Sequence, residues 1–238
     1  MSEYIRNVEP MECDWYRHMP PSVILSHCLS MMQCDFVNSG IGRTVIRSNH
    51  GAVWMISSMS IRQYKSLCVG DTIKYVTYPR IIDGKKYVFR IDIYRDEEML
   101  VEFATNFMAV EESSRKIVPV EVLEQHWTSP PEYAAERYLQ SIKPEVEFLD
   151  AGGDTVRMSD CDSNGHMTSG AYLSLVCDAL GYWGREEGTM MRFMQVDFRS
   201  EVHPGDYIKY ECCNYEGIKY MRGLKDEDKI AFIAKCDF

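Results

Sequence analysis

Across residues 23–36, apolar side chains recur on nearly every side of a helical wheel. Leu25, Leu29, Met32 and Phe36 form one stripe, and Ile24, Cys28 and Met31 another. A helix apolar most of the way round is a buried helix. Pro20-Pro21-Ser22 just ahead supplies its start, since proline suits the first turn. Residues 12–16 read as a short extended lead-in, and a glycine-containing connection follows over 38–51. Strand patterns then cover 53–62, 72–78, 86–94 and 99–110, with Asp83-Gly84 as a hairpin turn. Residues 112–145 are polar, carry Pro119, Pro130, Pro131 and Pro144, and read as a linker with a short helix around 132–142. Beyond it the plan returns. A buried helix over 169–183 carries the stripe Tyr172, Val176, Ala179 and Trp183, and strands are expected near 191–202, 206–213, 217–223 and 229–237.

The return is also legible residue by residue. Asp14-x-x-x-His18-Met19 and Leu25-Ser26 recur as Asp162-x-x-x-His166-Met167 and Leu173-Ser174, at an offset of 148. Val69-Gly70-Asp71-x-Ile73-Lys74-Tyr75 recurs as Pro204-Gly205-Asp206-x-Ile208-Lys209-Tyr210, at an offset of 135. Two matches in the same order indicate duplication of one unit. The fall of 13 in the offset predicts a shorter connection between helix and strand in the second copy. One long buried helix followed by antiparallel strands, twice over, predicts an α+β protein of two tandem hotdog units, each a sheet wrapped around its helix. The expected division is an N-terminal unit over 1–111, a linker over 112–145 and a C-terminal unit over 146–238.

Composition narrows the function. The formal net charge of −10 argues against a nucleic-acid partner, which would want a basic face. No apolar run has the length of a membrane span, and the first residues lack the character of a signal or transit peptide. Nine cysteines, irregularly spaced and without a C-x-x-C pair, read as reduced thiols of a cytoplasmic protein rather than disulfides or a zinc site.

Chemistry concentrates at Asp162-Ser163-Asn164-Gly165-His166, just ahead of the second helix. If the segment is extended, the alternate side chains of Asp162, Asn164 and His166 point the same way. They would then converge beside the N–H groups that open the helix, at Met167, Thr168, Ser169 and Gly170. Taken alone the motif is weak, because Asx residues also cap helices and fill turns. Cys161 in such a segment would point away, and His126 and His203 read as surface residues.

Asp162-x-Asn164-x-His166 and the downstream Phe198-Arg199-Ser200-Glu201 resemble the acyl-acyl-carrier-protein thioesterases of plant plastids and bacteria. Trp54 and Gly70-Asp71 in the first half add to the likeness, which spans residues 10 to the end. The resemblance implies a degenerate N-terminal unit that shapes the acyl pocket and a catalytic C-terminal one. It implies hydrolysis of the thioester between a fatty acyl chain and the phosphopantetheine of acyl carrier protein, which ends chain elongation. The implied catalytic residues are Asp162, Asn164, His166 and Glu201, with no metal or cofactor. Glu201 is expected as general base on water, and Asp162 either orients that system or attacks the carbonyl itself. Asn164 and His166 would hold these groups, and the helix-start amides would polarise the carbonyl. Plant members carry a cysteine directly after the glutamate, where this chain has Val202.

The repeat predicts a single active site, since Asn164 corresponds to Tyr16 and Glu201 to Ser66. Candidate pocket residues are Trp54, Met55, Met59, Met31 and Met32, although core packing explains them as well. An acidic carrier would need a local basic patch on this acidic chain, for which Arg43, Arg47, Lys65, Arg185, Arg192 and Arg199 are candidates. The competing readings are an acyl-CoA thioesterase of the hotdog superfamily and a non-catalytic acyl-binding module. Tandem halves would satisfy the usual hotdog pairing within a monomer, and a whole-chain homodimer is the alternative.

Overall fold

Helix α1 (Pro21–Asn38) begins with proline at its first turn, where the missing N–H costs nothing. Its side chains Ile24, Leu25, Cys28, Met32 and Phe36 are each at most 2 % exposed, while Ser26, Ser30, Gln33, Cys34 and Val37 form an exposed face, so the helix is buried on one side and not all round as its pattern predicts. The second buried helix, α3 (Ser169–Ala179), is the shorter, and Thr168 caps it by accepting a hydrogen bond from the Ala171 N–H at 3.1 Å. In this computed structural model the described residues are 2–81, 87–119, 122–123, 139–184, 190–226 and 228–238.

Both helices lie against one ten-stranded antiparallel sheet. Its strands are β1 (Glu3–Asn7), β2 (Ala52–Gln63), β3 (Thr72–Ile81), β4 (Tyr87–Arg95), β5 (Glu98–Glu111), β6 (Leu149–Thr155), β7 (Phe193–Phe198), β8 (Tyr207–Tyr215), β9 (Ile218–Lys225) and β10 (Lys229–Asp237). The spatial order is β1-β3-β4-β5-β2-β7-β10-β9-β8-β6. Read from either edge, each half lays down its strands in the same order, and the halves meet where β2 pairs antiparallel with β7. Ser60 faces Gln195 across that junction, and these two residues are related by the offset of 135. The junction is therefore a pseudo-twofold axis. The architecture is the tandem hotdog arrangement of an α+β chain.

The sequence missed three short elements and misread two others. Helix α2 (Arg43–His50) occupies the expected connection over 38–51, flanked by Gly42 and by Gly51 in the left-handed region. Only Ile46 of α2 is buried, too little to leave a periodic signal. Strands β1 and β6 are sheet edges, and β6 is largely exposed and glycine-containing. Residues 12–16 form the end of a single 3-10 turn and a bend rather than a strand. The second helix ends at Ala179, and a separate 3-10 turn, Tyr182–Gly184, follows Gly181. The expected Asp83-Gly84 turn, most of the helix over 132–142, His126 and Arg185 lie outside the described residues.

The offset change also has a different origin from the one expected. The links over 39–51 and 180–192 both contain 13 residues, so the connection is not shorter. The helix is 7 residues shorter (18 against 11) and the strand 6 shorter (12 against 6), which together account for the 13.

Residues 112–118 fold back on the end of β5. Glu111 N–H donates to the Lys116 carbonyl and Val118 N–H to the Ala109 carbonyl, both at 2.9 Å. Arg115 turns this return through a left-handed conformation, φ 57°. The chain crosses the central strands again at 139–142, where Ile142 N–H donates to buried Asp197 at 2.8 Å.

Candidate active site

The segment carrying Asp162, Asn164 and His166 is a closed turn, not an extended strand. Asp162 N–H donates to the His166 carbonyl at 2.9 Å, and Gly165 N–H donates to the Asp162 carbonyl at 3.0 Å. Gly165 reverses the chain at φ 75°, a conformation that suits a residue without Cβ. Asp162 Oδ1 accepts from the Asn164 N–H at 2.8 Å, the Asx-turn bond that such residues favour. Simple alternation therefore does not place these side chains.

The turn instead sorts them into two pairs. Asp162 Oδ2 accepts from Asn164 Nδ2 at 2.9 Å, so both carboxylate oxygens hold the asparagine. The Asn164 carbonyl oxygen accepts from Arg43 Nη2, the first residue of α2. His166 Nε2 lies 3.7 Å from Glu201 Oε2, beyond a hydrogen bond yet within the range that closes in a substrate complex. The His203 ring packs edge-on against His166, centroids 4.9 Å apart.

Glu201 sits past the end of β7 rather than in the strand. Arg199 and Ser200 N–H both donate to the Ala231 carbonyl, which bends the chain out of the ladder. Arg115 grips the carboxylate with both arms, Nη1–Oε1 3.0 Å and Nη2–Oε2 3.3 Å. Lys225 Nζ donates to the Glu201 carbonyl at 2.6 Å and pairs with Asp206 at 3.5 Å. Burial tends to raise the Asp206 carboxyl, but the His203 backbone N–H and the Lys225 ammonium outweigh it and hold it below the usual range.

The next residue, Val202, is buried in the core, and its carbonyl accepts the Met167 N–H at 2.8 Å. Thr168 N–H donates to Asp160 at 2.8 Å. Met167 and Thr168 thus have no N–H to offer an oxyanion, a correction to their expected role. Ser169 and Gly170 occupy the first positions of α3, where an amide has no partner within the helix. Among the described residues no acceptor is recorded for either N–H, so these two are the available donors. Cys161 packs against the core, and its thiol is pushed up by burial and by Asp160, Asp162 and Asp206. It is a poor nucleophile there.

A cavity of about 810 Å³ opens at the helix start, bounded by Met167, Thr168 and Gly170 and by Ser22, Val23 and Ser26 of α1. Asp154, Asp160 and Asp178 also line it, beside Val156, Ala171 and Leu175, so it is a mixed polar and apolar groove where the two helices meet. None of the expected pocket residues lines this groove. Met32 and Met59 are fully packed core. Trp54 lies among Phe36, Tyr87 and Phe107, its indole N–H bound to the Ile41 carbonyl at 2.9 Å. Met31 and Met55 are half-buried, Met31 against the same core.

Donor atoms of His166, Glu201 and His203 all lie within 4.8 Å of one another, a spacing that a metal ion could bridge. Both Glu201 oxygens in this group are also held by the Arg115 fork. Of the candidate basic residues, Arg47, Lys65, Arg192 and Arg199 each pair with a carboxylate. Arg43 differs in binding a neutral amide at the site. Arg43 belongs to the first unit and Arg115 to the return after β5, 121 and 86 residues from the groups they hold, and the sequence pattern gives Arg115 no role.

Among the described residues, no helix is long and apolar enough to cross a membrane. No curated protein sequence matches the chain. Two solved structures share its fold along nearly the whole length. The acyl-ACP thioesterase of Bacteroides thetaiotaomicron superposes with TM-score 0.85 at 16% identity, covering 100% of this chain and 97% of the other. The 12:0-ACP thioesterase of Umbellularia californica gives TM-score 0.81 at 14% identity, covering 99% and 96%. At such identities the likeness establishes the fold. The family profile of the acyl-ACP thioesterase C-terminal domain matches residues 151–234, the stretch that holds Asp162, Asn164, His166 and Glu201. Residues 151–234 thus match the model of the acyl-ACP thioesterase C-terminal domain, and the chain shares the fold of these two structures along nearly its whole length.

Proposed function

We propose that the protein hydrolyses fatty acyl thioesters of acyl carrier protein, with one active site in its second half. The observation that carries this reading is the coincidence of the family match over 151–234 with the turn that pairs His166 with Glu201. In this mechanism Glu201 accepts a proton from water as its oxygen attacks the thioester carbonyl, and His166 holds that water. The N–H groups of Ser169 and Gly170 receive the developing oxyanion. Collapse expels the thiolate, which takes the proton back from Glu201 and leaves a free fatty acid. Asp162 is assigned to orientation, since it holds the backbone and side-chain N–H groups of Asn164. Asn164 in turn fixes the geometry of the turn that carries His166.

The first half is assigned to acyl-chain binding. Its aromatic cluster of Phe36, Trp54, Tyr87 and Phe107 is close-packed, so a chain entering there displaces that packing.

The test is release of free fatty acid from acyl-ACP substrates of increasing length, with the matching acyl-CoA esters in parallel. Faster turnover of the carrier thioesters supports the proposal. Preference for acyl-CoA would replace the substrate while keeping the reaction. Binding of both without release would establish an acyl-binding module instead.

A further inference from the structure

We infer that the active site is completed from outside the second unit, through Arg43 of α2 and Arg115 of the return after β5, as positioning residues that set Asn164 and Glu201 in their working orientations. This rests on the proposed role of Glu201 in thioester hydrolysis.

Arg115 meets Glu201 as a fork on a fork, 3.0 and 3.3 Å, the geometry that fixes a carboxylate in direction as well as in place. The alternative explanation is stability, and the exposure of the pair argues against it. The Arg115 and Glu201 side chains are 55% and 30% exposed, and exposed ion pairs contribute little to folding. Arg115 also adopts a left-handed backbone, φ 57°, which disfavours a residue with a Cβ. The return over 112–118 nevertheless holds it there, with Arg115 N–H donating to the Glu111 carbonyl at 3.0 Å.

Arg43 acts on the other pair. By donating to the Asn164 carbonyl oxygen, it directs the Asn164 amide nitrogen toward Asp162. Its position depends on Gly42, where a Cβ would stand 3.0 Å from the Val37 side chain. Helix α2 can therefore start close against the end of α1. Glu201 is then held from three sides. Arg115 grips the carboxylate, Lys225 holds the backbone carbonyl, and His166 stands 3.7 Å away.

The experiment uses the full chain and steady-state kinetics on whichever acyl thioester the wild type hydrolyses. Arg115→Ala is expected to lower kcat by about tenfold to a hundredfold, the scale of a small misplacement of a catalytic group, with KM within about twofold. Arg115→Lys should recover part of the loss, since it supplies the charge without the fork. Added guanidinium at sub-denaturing concentration should restore Arg115→Ala but not Glu201→Ala. Arg43→Ala should lower kcat in the same sense, while Arg47→Ala, whose partner is Glu112, leaves kcat unchanged. Melting curves identify any variant that fails to fold, and Arg115→Lys then decides the question. Wild-type kcat in both Arg115 variants would overturn the inference while leaving the function intact, as would a raised KM with kcat unchanged. A wild type that hydrolyses no thioester would remove both.

Discussion

The two halves of this protein build the same turn and give it different equipment. In the second half, Asp162 N–H meets the His166 carbonyl at 2.9 Å, and in the first half Asp14 N–H meets the His18 carbonyl at 2.8 Å. Asn164 N–H donates to Asp162 Oδ1, and Tyr16 N–H donates to Asp14 Oδ1. Met167 N–H binds the Val202 carbonyl as Met19 N–H binds that of Leu67. The left-handed position is Gly165 in one half and Arg17 in the other. Backbone geometry therefore does not distinguish the proposed site from its counterpart in the first half. The difference lies in three substitutions with chemical meaning. Tyr16 stands for Asn164, Ser66 for Glu201, and Pro21 for Ser169 at the first position of the helix. The last removes an N–H as well as a side chain. The first half thus keeps its aspartate and histidine while lacking the amide, the proposed base and one of the proposed oxyanion donors.

Exchanging equivalents across the halves breaks or sharpens this comparison. His166→Ala should reduce turnover by about 10²–10⁴, the usual range for a group that handles the attacking water, while His18→Ala leaves kcat unchanged. Equal losses at both would mean two working sites. Ser169→Pro copies the first half into the second. Proline is tolerated at this helix position, and Thr168 already has the extended backbone that precedes proline, φ −71° and ψ 150°. The helix should survive and kcat should fall by about 10²–10³, the cost of one oxyanion donor. Circular dichroism and kinetics on one sample check both parts.

Asp206→Asn should have the smallest effect, and on stability. Asp206 accepts the His203 N–H at 2.8 Å and its carboxyl is held below its usual range. A depressed carboxyl stabilises the fold above its unfolded pKa, and that contribution is lost as pH falls through the folded value. The variant should lose about 1 kcal/mol near neutral pH, and its melting temperature should approach that of the wild type below about pH 4. A gap that does not narrow in acid would assign the effect to packing.

Much of this plan was legible in the sequence, because duplication writes the same spacing twice. The two offsets located the turns and the strands after them, and the stripes of Leu25 and Tyr172 located the buried helices. What escaped had physical reasons. Helix α2 buries one side chain, and β1 and β6 are edges whose exposure erases alternation. The Asn164-Gly165 pair was a turn signal, yet the segment was read as extended. The burial of Met167 and Thr168 amides in cross-chain bonds depends on Val202 and Asp160 meeting them in space. Arg43 and Arg115 reach the site only through folding, so no local pattern could connect them with Asn164 and Glu201.

The central claim is tested most directly by Glu201→Gln, which keeps the side chain's shape and removes the base. Single-turnover release of fatty acid from acyl-ACP, with melting temperature measured alongside, gives the comparison. The account predicts a loss greater than about a hundredfold at unchanged folding. Wild-type release by Glu201→Gln would contradict it.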